Sequence, residues 1–161
     1  MEPFIGAIQL YAFSSPPDGW LICDGSTLLI SEYPGLFAAI STTYGGDGIT
    51  SFKLPYIPNL AQGPAYSIAF TGVMPKTVMD AFIGQIQAFA FPFTPQGWLP
   101  CNGQLLQIGQ YTPLYQLLGT VYGGDGRTTF GLPNLPPVGS PGPTYFICFQ
   151  GDFPPQIADS P

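Results

Sequence analysis

Histidine is absent from this 161-residue chain, and lysine and arginine together number three. The missing histidine excludes Ser-His-Asp and Cys-His arrangements outright. Charged residues make up 7% of the chain, against about 25% in ordinary soluble domains. With a net charge of −6 and a pI near 4.1, the chain offers no basic footprint for DNA or RNA. So little charge implies a surface that is largely neutral or apolar, of the kind commonly covered by a partner. Self-association is the expectation.

Cysteine is scarce too. Cys23, Cys101 and Cys148 are widely separated and form no C-x-x-C pair, so no metal centre is expected. Cys23 and Cys101 occupy matching places in a repeat described below, and Cys148 matches Ala69. That swap favours small buried residues over a disulfide, while the odd count leaves an intersubunit bridge open. No apolar run approaches the roughly 20 residues of a membrane span. The start, Met1-Glu2-Pro3-Phe4, has an acid where a secretion signal needs basic residues. The chain is therefore expected to stay inside the cell, or to leave by lysis or another signal-independent route. No cofactor is expected.

What the chain has is apolar content of 45%, aromatics at 15%, 21 glycines and 20 prolines. The aromatics argue against disorder, and the Gly and Pro read as punctuation between short strands. Above all, the chain repeats itself. Residues 4–55 lie on residues 82–133 without a gap, and about half of the aligned positions are identical. Gly19-Trp20-Leu21-Ile22-Cys23-Asp24-Gly25 meets Gly97-Trp98-Leu99-Pro100-Cys101-Asn102-Gly103. Tyr44-Gly45-Gly46-Asp47-Gly48 meets Tyr122-Gly123-Gly124-Asp125-Gly126. After Pro55 the register slips by one residue, so that Tyr66 meets Tyr145. Two units result, 1–78 and 79–161, with a join near residues 73–80.

Each unit reads as mainly β with one short helix. Residues 6–13 and 84–91 are predicted first strands, 20–23 and 98–101 second strands, and 28–30 and 105–108 third strands. Asp24-Gly25 and Asn102-Gly103 are the dipeptides of a tight hairpin turn, which predicts that the second and third strands pair. Ser31 is the expected N-cap of a helix opening at Pro34, with Leu36, Phe37 and Ile40 on its apolar face. Pro113 opens the second helix, Leu114, Leu117 and Leu118 form its face, and Gly119 ends it. Residues 66–70 and 145–149 are the last strands.

The glycine turn invites chemistry but fails most tests. It lacks the Gly-Lys-Ser/Thr ending of a phosphate loop and precedes a strand rather than a helix. A single Asp47 or Asp125 cannot supply the six to eight oxygens of calcium. As a tight turn it is natural, because glycine accepts positive φ and aspartate bonds neighbouring amides. Catalysis would need paired carboxylates in place of the missing histidine. Of the acids Glu2, Asp18, Asp24, Glu32, Asp47, Asp80, Asp125, Asp152 and Asp159, only Asp47 recurs as an acid in the second unit. Tyr11, Trp20, Tyr44, Trp98 and Tyr122 are candidates for stacking on sugar, although Trp20 and Trp98 read first as core anchors.

The motif Pro-x-Gly-Trp-Leu-x-Cys-x-Gly, followed by Tyr-Gly-Gly-Asp-Gly-x-Thr-x-Phe-x-Leu-Pro, resembles the phage tail collar domain family. Within it, the chain looks most like the small microcystin-dependent bacterial proteins. Both motifs occur in order, twice, at residues 17–25 with 44–55 and at 95–103 with 122–133. Family members often continue with an Arg-Gly-Arg segment, where this chain has Tyr56-Ile57-Pro58 and Asn134-Leu135-Pro136. The resemblance implies two tandem collar-like β domains with Trp20, Cys23, Gly25, the turn 44–48 and their counterparts as structural motif. It further implies a non-enzymatic, oligomeric part of a tail fibre or extracellular filament, without catalytic or metal residues. The alternative is an adhesin at a fibre tip that grips a cell-surface glycan or receptor. In a filament, the ends 1–4 or 153–161 could reach a neighbour by strand addition.

Overall fold

A computed structural model of the chain describes residues 2–13, 15–59, 64–74, 81–139 and 141–155. Most of the join near 73–80, Asp80, Asp159 and the end of the C-terminal segment lie outside the described residues. The first unit contains β1 (Ala7–Tyr11), β2 (Trp20–Ile22), β3 (Thr27–Leu29), α1 (Pro34–Ile40), β4 (Ser51–Lys53) and β5 (Ala65–Ala69). The second repeats that order as β6 (Ile86–Phe89), β7 (Trp98–Pro100), β8 (Leu105–Gln107), α2 (Thr112–Leu118), β9 (Thr129–Gly131) and β10 (Thr144–Cys148). The chain is thus mainly β, with one seven-residue helix in each unit.

One six-stranded sheet runs through both units in the order β2-β5-β1-β6-β10-β7, and every neighbouring pair is antiparallel. Its middle is the pairing of β1 with β6, the same strand of the two repeats, through Ala7 opposite Phe89 and Ile8 opposite Ala88. Continuing that register places Gln9 opposite Gln87, which are the same position in the two repeats. An approximate two-fold axis therefore passes between them. A small hairpin-like sheet sits on each side, β3 with β4 and β8 with β9.

The pairing departs from the expected hairpin. β2 pairs with β5 rather than with β3, and β3 pairs with β4. Asp24-Gly25 therefore redirects the chain between two sheets. Gly25 has φ +77, the Asp24 carboxylate accepts the Ser26 N–H at 2.9 Å, and Asp24 bridges Tyr56. The cap expectation also fails: α1 starts after Tyr33, without a side-chain cap. Pro34 still opens it at the first turn and Gly119 still closes α2.

The two-fold is broken at one end. Where Ala7 faces Phe89, a small side chain lies across from a large one, and the Ala90 N–H extends the pairing by donating to the Gly6 carbonyl at 2.8 Å. At the opposite end the same positions are Gln85 and Tyr11, both bulky, and the β1–β6 pairing stops short of them. The Gln87 side-chain amide instead donates to the Ile8 carbonyl. The strands are zipped at one end and open at the other.

The core follows that asymmetry. The larger cluster joins first-unit residues such as Phe4, Ile8, Ile40 and Phe52 to second-unit Phe89, Phe91, Trp98 and Phe146. A smaller cluster of Leu106, Leu114, Phe130, Leu132 and Ile147 fills the second unit alone. Burying a large apolar side chain contributes about 1.5–3 kcal/mol relative to exposure, so the shared cluster is the main tie between the units.

Candidate functional site

The glycine turns are built alike. The Asp47 Oδ1 accepts the N–H groups of Ile49, Thr50 and Ser51, each at 2.8 Å, while Oδ2 accepts the Thr50 hydroxyl at 2.8 Å. Asp125 accepts Arg127, Thr128 and Thr129 at 2.8, 2.8 and 3.0 Å and the Thr128 hydroxyl at 3.0 Å. Three amide donors hold each carboxyl well below the usual range despite full exposure. Both oxygens of each carboxylate are engaged by their own loop. Among the described residues no group of His, Cys, Asp or Glu could hold a metal.

The turns need glycine for a close approach as well as for conformation. A Cβ on Gly46 (φ +100) would sit 2.4 Å from the Phe52 Cα, and one on Gly124 (φ +91) would sit 2.3 Å from the Phe130 Cα. The turn is thereby folded against its own strand, and it places Phe52 and Phe130 fully inside the core. Gly45 and Gly123 accept the N–H groups of Lys53 and Gly131 at 3.1 and 2.9 Å, and the Gly48 and Gly126 N–H groups close the loop on Ser51 and Thr129. These turns are latches that fix the last part of each collar motif.

The cysteines are free and buried. Cys23 donates its N–H to Tyr66 and accepts Ile57, as Cys101 does with Tyr145 and Leu135. Burial, with the nearby Asp24 charge, pushes the Cys23 thiol up to about 12, and burial pushes Cys101 up to about 11. Such thiols are protonated and inert at neutral pH. Gly25 and Gly103 pack against Tyr56 and Asn134, where a Cβ would meet the neighbour at 3.3 and 3.2 Å.

The aromatic members of the motif do not share one fate. Trp98 is a core residue, 2% exposed, whereas Trp20 is half-buried. Tyr44 reaches across to the second unit, where its hydroxyl donates to the Ala90 carbonyl at 2.7 Å. Burial raises its hydroxyl above the usual range. Its counterpart Tyr122 is 49% exposed.

Two clefts mark the two ends of the β1–β6 seam. At the zipped end Tyr44 lines one of about 230 Å³ with Phe89, Phe91, Phe93 and Phe146. Toward the open end a cleft of about 300 Å³ is lined by Tyr11, Trp20, Gln85 and Gln87, with Gln9, Ala7, Pro3 and Glu2 completing it. Tyr11 and Trp20 are thus brought together, away from Trp98 and Tyr122. The glutamines and Phe13 escaped the sequence reading. The signal was there in part: Leu10-Tyr11-Ala12-Phe13-Ser14-Ser15 is more polar than its counterpart Ala88-Phe89-Ala90-Phe91-Pro92-Phe93. Among the described residues no buried side-chain polar atom lacks a partner, so no orphaned group points to a reacting ligand.

The family model described as Phage Tail Collar Domain matches this chain twice, at residues 6–60 and 84–137. No curated protein matches it, and no solved structure matches it either.

Proposed function

Because the chain belongs to the phage tail collar domain family, a family of tail-fibre structural components, and carries the domain twice, we propose that it is a non-enzymatic subunit that self-assembles into a phage-tail-derived fibre or extracellular filament. The division at residue 78, into units 1–78 and 79–161, belongs to this proposal, as does the reading of the collar motif residues as scaffold. The observation that carries it is apolar exposure on a chain that is 7% charged: Phe13 at 54%, Val121 at 78% and Tyr122 at 49% lie in the open. Ends of this kind favour contacts between copies. A heterologous contact that does not close generates a filament. Among the described residues no helix is long and apolar enough to cross a membrane. Electron microscopy of the purified protein at neutral pH is expected to show elongated assemblies; uniform single particles across concentrations would refute the reading.

The open-end cleft favours a second reading, an adhesin. Tyr11 and Trp20 provide apolar ring surface, and Gln9, Gln85 and Gln87 provide amides, a combination suited to a neutral sugar. A glycan array probed with the assembled protein tests it, and the absence of binding would retire it. Both readings draw on the same aromatic wall, so a sugar that dissolves assemblies would favour the adhesin.

A further inference from the structure

The two ends of the β1–β6 seam present equivalent aromatic arrangements with unequal cover. In the second unit Phe89 stacks on Phe91 with ring centres 4.8 Å apart and meets Trp98 edge-on at 5.3 Å. In the first unit Tyr11 stacks on Phe13 at 5.0 Å and meets Trp20 edge-on at 5.5 Å. The internal geometry is the same. Yet Phe91 is 2% exposed and Phe13 is 54% exposed.

The cover over Phe91 comes from the first unit. A Cβ on Gly6 would lie 2.9 Å from the Phe91 ring and 3.7 Å from Ile40, so the ring rests on the Gly6 backbone beside Ile40, and Tyr44 closes the side through Ala90. The counterparts of Gly6, Ile40 and Tyr44 are Gly84, Leu118 and Tyr122. Gly84 keeps the same backbone, φ +88 against +92, but a Cβ there would meet only Leu117, at 3.6 Å. Ile40 is fully buried, and Leu118 is half-buried. One half of a pseudo-symmetric interface is made within the chain, and both surfaces of the other half lie open. In one molecule they do not meet, because the β1–β6 pairing stops short of Gln85 and Tyr11.

We propose that the second unit of one copy receives the first unit of the next, with Phe13, Tyr11 and Trp20 of the incoming copy seated on Gly84, Leu118 and Tyr122 of the receiving copy. This rests on the self-assembly reading and specifies its contact. Because the two surfaces differ and sit on different units, each added copy leaves one of each free. Growth is head to tail. The contact is made by side chains, since both edges of β6 are already occupied at Ala88 and Phe89.

Phe13→Asp and Tyr122→Asp test this by a mixing experiment read by sedimentation and electron microscopy. Each variant alone is expected to raise the concentration needed for assembly by about tenfold or more, as a charge in a desolvated hot spot should. Mixed one to one, the intact second-unit surface of Phe13→Asp and the intact first-unit surface of Tyr122→Asp should form dimers that grow no further. Wild-type-like assembly by either variant overturns this contact while leaving self-assembly standing, as does a mixture that stays monomeric. Wild-type protein that never assembles overturns both. Near-UV circular dichroism checks that each variant is folded. Should one fail to fold, Phe13→Ser or Tyr122→Ser carries the same test, both positions being exposed.

Discussion

The two units share a motif, a fold and a sequence that is about half identical, yet they bury their equivalent residues differently. Phe4, Ile8 and Tyr44 of the first unit are inside or half-inside; their counterparts Phe82, Ile86 and Tyr122 are 43%, 40% and 49% exposed. The reverse holds just past the ends of β1 and β6, where Phe91 is buried and Phe13 is not. The difference follows the seam, which pairs Ala7 with Phe89 at one end and stops short of the matching Gln85 and Tyr11 at the other. A duplicated unit thus becomes two distinct ends, which a chain needs if it is to join copies in one direction.

The largest effect that would test this comparison is on the shared core. Phe89→Ala is expected to cost about 3–5 kcal/mol, as a fully buried Phe does. Tyr11→Ala, at the half-buried counterpart, should cost markedly less. Urea unfolding of the two variants side by side decides it, and equal costs would mean that the open end is closed in solution. The glycine turns should behave alike instead. Gly46→Ala and Gly124→Ala each force a Cβ onto backbone at positive φ, and each is expected to lose about 1–3 kcal/mol. A clear difference in their midpoints would show that the latches are not equivalent.

Smaller effects sharpen the comparison further. Tyr44→Phe removes the hydrogen bond to Ala90 and should cost about 1 kcal/mol, whereas Tyr122→Phe should stay within about 0.5 kcal/mol. Calorimetry on both variants checks the pair. The residue after α1, Ser41, has φ +51, while the same position after α2 is Gly119 with φ +56. Ser41→Gly is therefore expected to stabilise the chain by up to about 1 kcal/mol, and a lowered midpoint would contradict the strain argument.

The smallest effect lies in the acid range. The Asp47 and Asp125 carboxyls are held below their unfolded value of about 4. Their stabilisation is therefore fully present above that value and is lost as the pH falls beneath it. Thermal midpoints of the wild type should fall more steeply between about pH 4 and pH 2 than those of an Asp47→Ala, Asp125→Ala double variant. Parallel curves would show that the turns do not depend on these carboxylates.

Much of this architecture is written locally. The short strands between Gly and Pro, the helices with Pro34 and Pro113 in their first turns, and the glycine turns with their aspartates follow from spacings of a few residues. Cys23, Cys101 and Cys148 could be read as packing residues because one of them matches an alanine. The expected β2–β3 hairpin failed because Asp24-Gly25 describes only its own turn. The partner of β2 is β5, more than forty residues on, and that choice is made by the sheet. Ser31 failed as a cap for a related reason, since the fixed φ of Pro34 starts the helix and Tyr33 precedes it.

The sequence by itself determined that the chain is a duplicated β unit, with 7% charged residues and no histidine. Repetition, composition and turn chemistry are properties of neighbouring residues, and they survive without knowledge of the fold. Only the tertiary structure decided which copy of each repeated residue is covered. Tyr44 and Tyr122 stand in identical motifs, and so do Trp20 and Trp98. Their environments differ because a seam joining residues 82 positions apart pairs Ala7 with Phe89 and stops short of the matching Gln85 and Tyr11.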